Sequence, residues 1–93
     1  MNVRYTETAL REVDEILSHI AADNPLAANE VATVLQMTVR RLSDYPRLAI
    51  ETDDPSVRVM PVLPYRYLIF YEIAASTIII RNVRQSARQR PLT

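Results

Sequence analysis

The sequence predicts an α+β domain: an N-terminal strand, an antiparallel helical hairpin, and a small antiparallel β-sheet on which the hairpin packs. Three observations carry this. Apolar residues recur at helical spacing in two stretches of the first half, only two or three residues separate those stretches, and β-branched and aromatic residues dominate from Val57 onward. The 93 residues suffice for one domain with a modest core, and residues 1–93 read as a single unit without repeats or low-complexity tracts.

Met1 to Tyr5 is short and β-prone, suited to an edge or joining strand. Thr6 offers an N-cap with Glu7 in the first turn, and Ala9, Val13, Ile16, Leu17 and Ile20 mark the apolar stripe of a helix over residues 7–22. Asn24-Pro25 restarts the chain, an N-cap followed by proline at the first helical position. Ala28, Val31, Leu35, Thr38, Val39 and Leu42 form the stripe of the second helix, Arg40 and Arg41 complement its dipole, and Tyr45-Pro46 ends it. So short a connection folds the two helices back on each other. The stretch from Pro46 to Ser56 has no clear period and reads as a loop. After it come VRVMPV, YRYLIFYEI and TIIIRNVRQ, bounded by Pro61, Pro64 and the Ala74-Ala75-Ser76 turn, a three-stranded meander.

Composition excludes several chemistries. All eleven basic residues are arginine, with no lysine, cysteine or glycine. Disulfides, thiolate metal sites and phosphate-cradling glycine loops are therefore excluded. No basic-then-apolar leader precedes the domain and no apolar run approaches a bilayer's thickness, so the expectation is a cytoplasmic protein without membrane contact. Charge is segregated: residues 1–56 hold five arginines against ten acids, and 57–93 hold six arginines against Glu72 alone. A cationic sheet beside an acidic helical segment steers an anionic partner.

The strands are apolar on both parities. Tyr67, Ile69, Tyr71 and Ile73 share one face and Leu68 and Phe70 the other; on the last strand Ile78 and Ile80 oppose Ile79 and Val83. One hairpin covers one face, so the second is expected to receive a partner chain. Which face meets the helices is not decided by the pattern.

Six segments in order, VRYTETA, DNPLAA, LSDYPRLAIETD, VRVMPV, YRYLIFYEI and IIIRNVRQSAR, resemble the ParE-type toxins of type II toxin–antitoxin modules, within the RelE/ParE superfamily that includes plasmid stabilisation proteins. The resemblance spans nearly the whole chain. It implies a helical hairpin on an antiparallel sheet and a ParD-like antitoxin that wraps the toxin in a hetero-oligomer. It implies DNA gyrase as the target, blocked by protein–protein binding, with DNA engaged only through the antitoxin. The RelE branch instead implies ribosome-dependent mRNA cleavage, and a decayed toxin that only binds antitoxin is a third reading. Where related chains approach V-x-H-G-x-R, this one has Val83-Arg84-Gln85-Ser86-Ala87-Arg88, with Gln85 at the histidine position and Ser86 at the glycine position.

Cleavage through a 2′-hydroxyl needs a base, an acid and cations around the phosphate. Arg58, Arg66, Arg81, Arg84 and Arg88 suit the last role, and Arg58, Arg81, Arg84 and Arg88 are the set a nuclease would use. None of them serves as a base, because guanidinium stays protonated. His19 lies outside the sheet on the polar side of the first helix, and Glu72 falls on the Leu68/Phe70 face. The Glu51, Asp53 and Asp54 cluster lacks metal-ligand spacing and reads as a solvated loop. Tyr65, Tyr67 and Tyr71 stand at strand spacing, which suits core or antitoxin contact better than base stacking. The resulting expectation is a binding protein, not an enzyme, that needs no cofactor and no metal. Arg81, Arg84, Gln85 and Arg88 would meet the target, with Arg90 beyond them in the tail, and Tyr67, Ile69, Tyr71, Ile79 and Val83 would meet the antitoxin.

Overall fold

The computed structural model describes residues 1–86. Chain order is β1 (Asn2–Tyr5), α1 (Glu7–Asp23), α2 (Pro25–Asp44), β2 (Ile50–Glu51), β3 (Arg58–Val62), β4 (Tyr67–Ala74) and β5 (Thr77–Gln85). The strands form one sheet in the order β1-β5-β4-β3-β2, with the hairpin on one face.

The helix signals work as chemistry demands. The Thr6 hydroxyl accepts the Ala9 N–H at 3.0 Å, and the Asn24 side chain accepts the Ala27 N–H at 3.1 Å, so each helix begins with one orphan donor satisfied. Pro25 occupies the first turn of α2, and Tyr45 closes the helix. Along α2 Ala28, Val31, Leu35 and Leu42 are buried, whereas Thr38 and Val39 are only half-buried. Helix α1 packs more shallowly: Ala9 alone is fully buried, and Val13, Ile16, Leu17 and Ile20 lie at the margin of the core.

The meander appears as expected, β3, β4 and β5 pairing antiparallel, but the sheet is mixed. β1 lies at the edge and runs parallel to β5, with Val3 opposite Ile78 and Tyr5 opposite Ile80. Thr6 explains why: its backbone N–H donates to the Ile80 carbonyl and its hydroxyl to the Arg81 carbonyl at 2.9 Å, which fixes the start of α1 over the middle of β5. The segment read as a loop after Pro46 also contributes β2, two residues paired with β3 at the far edge. Two residues are too few for alternation to register in a sequence.

A bulge redirects β5. Tyr71 pairs with Ile80 and Phe70 with Asn82, so Arg81 has no opposite number in β4. The extra residue resets the alternation. Val83, expected on the face of Ile79, therefore points the other way and joins Ile78 and Ile80 beneath the helices. The core is built from Val62, Ile69, Tyr71, Ile78, Ile80 and Val83 of the sheet against Ala9, Val31, Leu35, Leu42 and Ala49. Each large side chain buried here contributes roughly 1.5–3 kcal/mol.

In the two-residue β4–β5 turn Ala75 takes φ 56°, a left-handed conformation that glycine holds without strain and that a chain lacking glycine must give to another residue. Alanine there costs about 1–2 kcal/mol, part of which glycine's greater unfolded-state freedom would return. We expect Ala75→Gly to stabilise the fold by roughly 0.5–1 kcal/mol in urea denaturation. A loss of stability would show that the turn is held for another reason.

Candidate functional site

The choice of face is settled by burial. Tyr67, Ile69, Tyr71 and Ile73 turn toward the helices, and Val59, Leu68, Phe70, Glu72, Ile79, Arg81 and Arg84 turn away. This corrects the expected partner surface. Ile69 and Tyr71 are 0% exposed and Val83 2%, so these three are core and offer a partner nothing. Tyr67 is half-buried on the helix side, its ring 6.5 Å from that of Tyr65, and Ile79 alone of the five lies on the open face.

On that open face Val59, Leu68, Phe70 and Ile79 leave a half-exposed apolar centre. Arginines stand around it, two of them ion-paired with carboxylates. Arg81 bonds Glu72 at 3.2 Å, so the one acid of the meander lies on the uncovered side with its charge already engaged. Arg84, 61% exposed, forms an ion pair with Glu12 of α1, its Nε 3.5 Å from the carboxylate. Arg4 is exposed on β1 with the same parity. Gln85 is exposed but belongs to the opposite parity, across from Tyr67. Arg88 and Arg90 lie outside the described residues.

Arg58 does not join this group. It is opposite Tyr71, on the helix-facing side, and only 17% exposed. It donates to the Ala49 carbonyl and the Glu51 carboxylate, both at 3.2 Å, and so staples the segment after α2 to the sheet. The four-arginine set of a nuclease is thus split across the sheet, Arg58 on one side and Arg81 and Arg84 on the other. His19 is exposed on α1. Asp54 accepts the Ser56 hydroxyl and backbone N–H, which hold its carboxyl below the usual range, a turn device and not a ligand set. Among the described residues no group of three His, Cys, Asp or Glu side chains converges.

A second surface was not legible in the sequence. Between α2 and β3 runs an apolar groove with a lobe of about 330 Å³ lined by Val34, Met37, Met60, Pro61 and Leu63. It continues past Val34 into an open lobe beside Leu26 and Tyr65. Leu26 (76% exposed), Met37 (64%) and Leu63 (72%) form its lip. Arg41 stands at one end and Glu30 at the other. A groove of this shape takes an amphipathic segment. The outward position of Met37 was readable, since it falls off the buried stripe of α2; its juxtaposition with Leu63 was not.

A family model described as the ParE toxin of the type II toxin–antitoxin system, parDE, matches residues 3–90. The chain belongs to the ParE toxin family. A curated relative, "Putative toxin Y4kP" of Sinorhizobium fredii, is 32% identical over 89 residues, covering 96% of this chain and 92% of that protein. Among solved structures, the chromosomal ParDE system of P. aeruginosa superposes with a TM-score of 0.81 at 17% identity, over 94% of this chain and 97% of that one. The isolated E. coli RelE toxin superposes at 0.68 and 13% identity, over 95% and 86%. At such identities the superpositions show a shared fold: two helices on a five-stranded mixed sheet. No helix among the described residues is long and apolar enough to cross a membrane.

Proposed function

We propose that this chain is a toxin that acts by binding and not by cleavage. Its arginine face engages DNA gyrase, and a cognate ParD-like antitoxin neutralises it by laying a segment into the groove along α2. The observation that carries the reading is the make-up of the open face: the arginines there bind anions but do not take protons, and Glu72, the carboxylate among them, is ion-paired with Arg81. Arg58, the further cation a phosphate-cleaving site would use, is committed on the other side of the sheet.

Support for an antitoxin comes from the solved relatives, described as the ParDE system and the intact E. coli RelBE toxin–antitoxin complex. The groove gives such a partner a place of amphipathic chemistry, with an apolar lobe at Val34, Met37, Met60, Pro61 and Leu63 and opposite charges, Arg41 and Glu30, at its two ends. DNA would then be reached only through the antitoxin.

Induced expression without the antitoxin is expected to give filamented cells and gyrase-dependent DNA damage while translation continues. Rapid transcript cleavage at ribosomes would overturn the reading in favour of an mRNA nuclease, and absence of any growth effect would reduce the chain to an antitoxin-binding module.

A further inference from the structure

β5 has an unusual neighbour. β1 pairs with it only from Thr77 to Ile80, and past that point no strand among the described residues covers its outer edge. The backbone N–H of Val83, a fully buried residue, points into the gap left by β1. Glu12 fills that gap from α1. Its Oε1 accepts the Val83 N–H at 2.9 Å and the Asn82 side-chain amide at 3.3 Å, while its Oε2 meets the Arg84 Nε at 3.5 Å. One carboxylate, 22% exposed, thus serves as the missing strand for β5 and as the anchor of an arginine.

The atom by which Arg84 is held matters. A guanidinium ion-paired on its Nε side leaves its two terminal nitrogens as a fork for bidentate contact with a carboxylate or phosphate. A tethered side chain also loses less freedom when a partner arrives than a loose one does. We propose that Glu12 is a positioning residue for Arg84, presenting its terminal fork outward on the open face; this rests on the reading that Arg84 belongs to the target-binding surface.

The discriminating variant is Glu12→Gln. Its single carbonyl oxygen still accepts from Val83 and Asn82, so the edge of β5 stays satisfied. Its amide nitrogen replaces Oε2 and carries no charge to pair with the Arg84 guanidinium. We expect the thermal midpoint to change little, while the concentration that half-inhibits gyrase supercoiling and the induction level that arrests growth both rise roughly three- to tenfold. In an Arg84→Ala background, Glu12→Gln should add nothing. Unchanged potency in Glu12→Gln, or an equal loss with and without Arg84, overturns the positioning role while leaving the arginine face in place. If Arg84→Ala alone leaves both readouts untouched, the target surface itself is wrong and the proposal falls with it.

Discussion

Tyr71→Ala is expected to bring the domain to the edge of unfolding. The ring is 0% exposed at the centre of β4, and its hydroxyl donates to the Pro46 carbonyl at 2.6 Å, tying the segment after α2 to the core. Removing a buried aromatic costs about 3–5 kcal/mol, a large part of the roughly 5–15 kcal/mol that holds a small domain together. The thermal midpoint should fall by at least about 12 °C. Tyr71→Phe isolates the hydroxyl and should cost about 1 kcal/mol. The two variants also separate on pH. Burial raises the Tyr71 pKa above its ordinary value, outweighing the opposing effect of nearby Arg58. Its contribution is therefore complete below about pH 10, where the unfolded tyrosine titrates, and is lost as pH rises through the folded value. Tyr5, also raised by burial, adds in the same direction. Wild-type stability measured between pH 9 and 11 should fall more steeply than that of Tyr71→Phe. An equal slope in the two proteins would show that the hydroxyl is not what titrates.

Met37→Glu combined with Leu63→Glu is expected to free the toxin from its antitoxin. Both side chains are mostly exposed, so new charges there leave the core intact. They would lie on the lip of the apolar groove, where an antitoxin segment would have to bury carboxylates against apolar side chains. Interface anchors of this kind are worth about 2 kcal/mol or more each, so affinity should fall by at least roughly thirtyfold. Growth arrest should persist and no longer be relieved by co-expressed antitoxin. Unaltered affinity in a pull-down titration would move the antitoxin elsewhere, the open sheet face being the next candidate.

Much of the fold was legible because local chemistry dictates it. Thr6, Asn24 and Pro25 can do little but cap or start a helix, and a run such as YRYLIFYEI has no helical periodicity to compete with its β-branched and aromatic content. Fold details set by long-range geometry were not legible. β1 runs parallel to β5 because Thr6 is pinned to Ile80 and Arg81, contacts that appear only once the chain has closed. The face of Val83 followed from counting alternate residues, and a single uncounted bulge at Arg81 inverted it. The arginines stood out by residue type, but their placement on opposite sides of the sheet depends on strand register, which no residue type encodes. Glu12 was passed over because a glutamate on an amphipathic helix ordinarily faces water. The available signal was its spacing, three residues from buried Ala9 and so on the same flank of α1.

The place of β5 has a consequence for how the molecule comes into being. It is the last strand along the described chain, yet it sits between β1 and β4 and supplies Ile78, Ile80 and Val83 to the core. Val3 of β1 finds its partner only when Ile78 has emerged, some seventy residues later. A nascent chain therefore holds a helical hairpin and an unfinished sheet until β5 emerges, and its slowest contacts are those between β1 and β5. The strand that carries Arg81 and Arg84 is also the one that completes the fold. A chain that stops before β5 would lack both the completed core and the pair Arg81 and Arg84, so the fold and these open-face arginines arrive together.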